Sequence, residues 1–223
     1  RLATGGPFDL DRPLEAKVME NLNRIDQLNE PLWNQYLIYL KNIAVLDFGP
    51  SFYFRDFSIN ELFAASLPIS IQLGLSALVL ALIVGGVLGV IAALRQNHGL
   101  DYSVMAAATL GVTIPNFVVA PVLQLVLGVN FGWLPVGGWA AGNYAYAILP
   151  VVTLALPQIA VVARLTRGSM IEALRSNHVR TARAYGLSAY TVIVVHALRG
   201  ALLPVVSDLG PAAAALLTGS VVV

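Results

Sequence analysis

The chain has 223 residues, of which 57% are hydrophobic and only 11% charged, with a net charge of +1 and no cysteine. An ordinary soluble domain carries roughly a quarter charged residues, so this composition excludes one. The lack of Cys excludes disulfides, thiol nucleophiles and cysteine metal sites. No basic–aromatic patch invites nucleic acid.

Residues 1–61 differ from the rest, with nine acids against six bases. Apolar residues recur there at helical spacing. Leu14, Val18, Leu22 and Ile25 follow Pro13, while Leu32, Tyr36, Leu40 and Ile43 follow Pro31, a residue suited to a first helical turn. Such stripes predict a packed extracytoplasmic helical region rather than a substrate-binding surface. The DFGPS turn then re-enters toward the bilayer, and Ser58 with Glu61 has the spacing of a capping box for a helix starting near Ile59.

Residues 62–223 read as a transmembrane domain. No charge occurs from Leu62 to Leu94 or from Tyr102 to Ala163, runs longer than the about 20 residues a crossing helix needs. The chain is therefore an all-α integral membrane protein. The first span is placed at 67–94, about 42 Å of helix, with Pro68 at an entry turn or kink. Gly85, Gly86 and Gly89 thin one side for the close approach of another helix. The connection Arg95–Asp101 is short and carries an Arg, which places it in the cytoplasm. His98 there is a solvated loop residue, with no companion ligands for a metal.

The second span covers 102–128 and contains Pro115 and Pro121, so its backbone must kink. Asn116 and Gln124 lie beside those breaks, either bonding a neighbouring helix or walling a translocation path. The segment 128–146 has Trp133, Trp139, Tyr144 and Tyr146 and no charge, which suits the outer interface. The third span, 147–163, holds Pro150, Pro157 and Gln158. A cytoplasmic loop, 164–201, leads to the fourth span, 202–223, with Pro204, Pro211 and the only carboxylate of these spans, Asp208. Asp208 is expected to face the bundle interior, attracting the amino terminus of a substrate peptide or bonding a neighbouring helix.

That loop dominates the reading. Arg164 to Pro204 contains six of the thirteen basic residues and one acid, Glu172, so it stays cytoplasmic. Arg164 and Arg167 are expected to mark the headgroup boundary. Asn177 is placed to cap a helix running to about Tyr185, Gly186 to supply the left-handed turn that stops it, and Ser188 to cap the next helix. A helix–Gly–helix unit between two spans is a part for another protein to grip.

Three function classes compete. An embedded enzyme lacks any H-E-x-x-H, G-x-S-x-G or paired intramembrane carboxylates, so no catalytic or metal-binding residue is assigned. An ion-gradient-driven secondary transporter or channel calls for intramembrane acids or His, and Asp208 alone qualifies. A permease powered by other subunits explains the cytoplasmic helix and the missing relays together. The chain has no phosphate-binding loop, and its only lysines are Lys17 and Lys41.

VRTARAYGLS (Val179–Ser188) followed by HALRGALLPV (His196–Val205) resembles the signature loop of bacterial ABC-importer permease subunits. DFGPSF (Asp47–Phe52), IPNF (Ile114–Phe117), WLPVGGW (Trp133–Trp139) and TRGSMIE (Thr166–Glu172) extend the likeness, in the family's order, to the peptide branch and within it to B subunits of oligopeptide permeases. Where the general signature begins Glu-Ala-Ala, this chain reads Arg180-Thr181-Ala182, and Leu203-Pro204 lies farther from Gly186 than in sugar-type importers. Both departures are usual in the peptide branch.

The resemblance implies a type I importer permease fold, of which this chain carries about four of six transmembrane helices, the family having one more span before Arg1 and one after Val223. It implies a multi-pass subunit of the bacterial cytoplasmic (inner) membrane, in contact with lipid and a second homologous permease subunit. Two cytoplasmic ATPase subunits would use ATP and Mg, with no cofactor bound by this chain, and an extracytoplasmic peptide-binding protein would deliver cargo. Val179, Arg180, Thr181, Ala182, Arg183 and Gly186 become the coupling residues. Ala182 is small where a neighbouring ATPase surface presses close; Arg180 and Arg183 either pair with acids of the ATPase cleft or form a solvated basic face. Asn116, Gln124, Gln158 and Asp208 are the pathway candidates. The favoured cargo is oligopeptide, with dipeptides, nickel or glutathione as alternatives.

Overall fold

The computed structural model describes residues 31–51, 57–140 and 142–219. The stripe Leu14, Val18, Leu22 and Ile25, residues 52–56 after the DFGPS turn, and the last four residues of the fourth span lie outside the described residues. Contacts divide the chain into two units, one ending at Pro68 and one starting at Ile69.

In the first unit, α1 spans Leu32–Ala44, with Pro31 as the residue before its first turn. Of its stripe, Leu32, Tyr36 and Leu40 are exposed and Ile43 is half-buried among the described residues. The DFGPS turn is closed by local bonds. Asp47 Oδ1 accepts from Gly49 N–H, and the Asn60 side chain bridges the turn by accepting from Phe48 N–H and donating to the Leu46 carbonyl. Ser58 and Glu61 form the expected reciprocal cap, Glu61 N–H donating to Ser58 Oγ and Ser58 N–H to Glu61 Oε2.

The next helix, α2 (Ile59–Leu94), runs 36 residues without a break and carries Pro68 inside it. The helix begins at Ile59, where the capping box placed its start, and runs unbroken through the predicted span 67–94. α3 (Gly99–Thr113) and α4 (Asn116–Leu123), the latter continued by a π-helical stretch Gln124–Asn130, meet at an angle of 103°. Pro115 produces this break. A residue before proline is driven out of the helical region, and Ile114 sits at φ −84°, ψ 119°.

α5 (Ala145–Arg175) passes Pro150 and Pro157 intact and continues well past Ala163, where the cytoplasmic loop was placed. Arg164, Arg167, Glu172 and Arg175, expected in the cytoplasmic connection, are thus helical residues. The reason is local: residues 164–175 contain no proline and are rich in Leu, Met, Ala, Arg and Glu, all good helix formers. Val162, Thr166 and Met170, spaced four apart, are buried along one face.

Then come α6 (Asn177–Ala184), α7 (Ala189–Thr191), a π-helical stretch Val192–Ala197 and α8 (Leu198–Ala201). The run Ala189–Ala201 bends by 47° into α9 (Leu203–Gly219). Pro204 falls in the first turn of α9, where its missing N–H costs nothing. Among the described residues α2 and α5 are each long and apolar enough to cross a membrane, and the count rises to four if each bent pair is one broken span.

Small residues set the helix spacing. A Cβ on Gly85 would lie 2.7 Å from the Ile159 carbonyl oxygen, and one on Gly89 would lie 2.6 Å from that of Ala163, so α2 lies directly on the α5 backbone. Gly86 faces open space, so two of the three glycines serve the contact. One core cluster gathers Ala77, Leu154, Ala155 and Leu216 from α2, α5 and α9. A second gathers Ala93, Met170, Val179, Ala182, Val192, Ala197 and Ala201 around α6.

Candidate functional site

The short helix α6 is held on three sides. Its N-cap is Ser176 rather than Asn177, one residue earlier than expected; Ser176 takes the extended conformation, φ −67° and ψ 156°. Its side chain does not cap: Ser176 Oγ donates back to the Ala173 carbonyl of α5. At the other end Gly186 N–H donates to the Arg183 carbonyl and Leu187 N–H to the Ala182 carbonyl, the paired bonds of a Schellman stop. Gly186 has φ +74°, the left-handed conformation predicted for it. Ser188 Oγ then accepts from Thr191 N–H at 3.2 Å and caps the next helix as expected.

The faces of α6 separate the coupling candidates. Val179 and Ala182 are 0% and 4% exposed and pack against Met170 of α5, Val192 and Ala93 of α2. The surface pressed against Ala182 is therefore this chain's own core, which corrects the expectation that an ATPase subunit presses there. The helix pattern explains it: residues three apart share a face, and the only apolar pair at that spacing is Val179 and Ala182. Arg180, Thr181 and Arg183 point outward, and beside them Tyr185 and Tyr190 are 82% and 74% exposed. The two tyrosines were missed by the sequence reading; large rings within a basic cytoplasmic loop were the available signal. His178 Nε2 lies 3.2 Å from the His196 carbonyl, which ties α6 to the π-helical stretch. A notch of about 320 Å³ lined by Glu172, Ser176, His178 and Pro204 lies beside the bend between α8 and α9.

Of the pathway candidates, Gln158 and Asp208 come together. Gln158 Nε2 on α5 donates to Asp208 Oδ2 on α9 at 3.1 Å, joining two spans. Asn116 stands apart, the first residue after the Pro115 break, with a buried side-chain oxygen that has no hydrogen-bond partner. Gln124 opens the π-helical stretch and is half-buried.

One feature was not foreseen. The Arg167 guanidinium grips Asp101 in the first turn of α3, Nε to Oδ1 at 2.5 Å and Nη2 to Oδ2 at 2.7 Å. Asp101 is 1% exposed and also accepts from Asn97 N–H at 2.9 Å. A carboxylate so buried is tolerable only with bonds of this kind, and a bidentate Arg is the strongest available. Arg164 is exposed. Two turns beyond Arg167, Arg175 Nη2 donates to Gln96 Oε1 at 3.2 Å.

The comparisons with known proteins agree with this architecture. Residues 85–223 match the family described as binding-protein-dependent transport system inner membrane component. The oligopeptide transport system permease protein OppB of Salmonella typhimurium is 52% identical over 223 residues, covering 100% of this chain and 73% of that protein. OppB of Haemophilus influenzae is 49% identical over the same share of each chain. The dipeptide transport system permease protein DppB of Bacillus subtilis is 44% identical across 100% of this chain and 72% of its own length.

Proposed function

The chain belongs to the family of binding-protein-dependent transport system inner membrane components, and on that premise we propose how it works. It is a transport permease of the bacterial inner membrane, not an enzyme, and it serves as the transmembrane subunit of an ATP-driven peptide importer. It forms half of the translocation pathway, the other half coming from a second, homologous permease subunit. Two cytoplasmic ATPase subunits hydrolyse ATP with Mg, and an extracytoplasmic binding protein presents the peptide. Higher identity to OppB than to DppB favours oligopeptides over dipeptides as cargo.

The observation that carries the proposal is the two-faced α6. Its inner face, Val179 and Ala182, belongs to the core that α2 and α5 share, while its outer face offers Arg180, Thr181, Arg183 and the nearby Tyr185 and Tyr190. An ATPase subunit gripping the outer face moves the inner face with it, because close-packed interiors transmit displacement rather than absorb it. Arginine and tyrosine are also the residues on which docking energy concentrates. Closure of the ATPases on ATP then tilts the spans between inward- and outward-facing arrangements, a rigid-body alternation. Gly186 fixes the direction in which the chain leaves α6. Asn116, Gln124, Gln158 and Asp208 supply polar groups along the spans.

The test is uptake of a labelled oligopeptide into vesicles containing the assembled complex and the binding protein. The proposal expects uptake to require ATP and to persist when the proton and sodium gradients are collapsed. Uptake that needs a gradient and ignores ATP would overturn it in favour of a secondary transporter.

A further inference from the structure

The connection between α2 and α3 is fastened to α5 at two points. Arg167 holds Asp101, which in turn accepts from the Asn97 amide, and Arg175 holds Gln96. The two arginines are eight residues apart, about 12 Å along the helix. Between them, on the same stretch of α5, Met170 enters the core cluster that includes Val179 and Ala182 of α6 and Ala93 of α2. Gly89 brings the α2 backbone against α5 at Ala163 and Thr166. α2, α5 and α6 are therefore joined by direct packing in this region. α3 packs along α5 as well, and its N-terminal turn is fixed there by an ion pair whose carboxylate is buried.

We propose that Asp101 and Arg167 are positioning residues of the coupling machinery, a strut that passes movement of α6 from α5 to α3 and, through the Pro115 break, to α4. The proposal rests on the reading of α6 as the ATPase-gripped helix. Its physical basis is directional. Added to that packing, a bidentate guanidinium–carboxylate pair fixes both distance and angle at one point. Asp101 lies at the first turn of α3, so the pair pins that end of the helix to α5. Arg175 and Gln96 keep the connection from swinging about that point.

The experiment uses the complete complex in vesicles, in the natural Cys-free background of this chain. Asp101→Leu with Arg167→Met removes the strut without leaving a buried charge unpaired, so membrane abundance is expected to stay normal. ATP hydrolysis should continue while peptide uptake falls about tenfold, the scale of a broken coupling contact. A second variant adds Gln96→Cys and Arg175→Cys, bridged by a bifunctional thiol reagent, with single-Cys variants as controls. The bridge should restore most of the lost uptake and, in the chain with Asp101 and Arg167 intact, leave uptake unchanged.

Normal uptake by the double variant at normal abundance overturns the proposal, as does a bridge that blocks uptake when Asp101 and Arg167 are present, because the two ends would then have to separate during the cycle. Loss of the double variant from the membrane, uncured by the bridge, makes the pair a folding element and overturns it too. Normal uptake by Gly186→Val sinks the reading of α6 and the strut with it. Normal uptake by the double variant beside an uncoupled Gly186→Val sinks the strut alone.

Discussion

Gln158 and Asp208, fifty positions apart in sequence, meet between α5 and α9, where the Gln158 amide donates to the Asp208 carboxylate. An acid inside a span costs about 2.5–3.5 kcal/mol on insertion scales unless it finds such company. The pairing gives Asp208 an interhelical task, and the bond requires an acceptor oxygen rather than a charge. Asp208→Asn is therefore expected to keep both membrane abundance and peptide uptake, whereas Asp208→Leu strands the half-buried Gln158 amide and destabilises by about 1 kcal/mol. Normal abundance with lost uptake in Asp208→Asn would instead assign the charge to the peptide.

Gly89→Leu should be far more damaging than Gly86→Leu. The first forces a side chain into the Ala163 carbonyl and the Thr166 side chain, and the second enters open space. Overpacking costs about 1–3 kcal/mol, with more where backbone must move. Thermal unfolding of the detergent-solubilised subunit measures the difference, and equal midpoints would remove the α2–α5 backbone contact from the account.

Cysteines placed at Tyr144 and Tyr185, both well exposed, should label from opposite sides of the membrane with an impermeant reagent, Tyr185 from the cytoplasm. The arginine-rich stretch around α6 and the charge-free aromatic segment before α5 demand this. Labelling of both from one side would contradict the topology.

Ala182→Trp is expected to fail by misfolding. Its Cβ lies in the cluster with Met170 and Val192, so an indole there should lower membrane abundance before coupling can be measured. Arg183→Glu, on the outer face, should leave abundance intact and weaken retention of the ATPase subunits on affinity purification. Intact retention would take Arg183 out of the docking surface.

What the sequence revealed, and what it hid, follows the range of the forces involved. The caps at Ser58 and Ser188 and the Gly186 stop were legible because they depend on a few adjacent residues. The charge-free runs 62–94 and 102–163 were legible as membrane segments because apolar runs of that length have one stable environment. The end of α5 was not: the arginines after Ala163 signalled cytoplasm, and cytoplasm was taken for loop, although 164–175 is good helix. Burial of Ala182 depends on Met170 and Ala93 arriving from other helices, which no local pattern announces. Beyond residue 61 the chain has three acids, Asp101, Glu172 and Asp208. Two of them turn out to hold helices together, and the clue available was their scarcity, with Asp101 just before and Arg167 just after one charge-free stretch whose end is marked by Arg164.

The most direct test of the central claim, that α6 couples ATP hydrolysis to movement of the spans, is the ratio of peptide uptake to ATP hydrolysis in reconstituted complexes carrying Gly186→Val. A branched residue at φ +74° costs about 1–2 kcal/mol and must turn the exit of α6 elsewhere, while no side chain crowds the position and membrane insertion is untouched. The account predicts normal abundance, continued hydrolysis and a ratio reduced about tenfold. An unchanged ratio at normal abundance would contradict it.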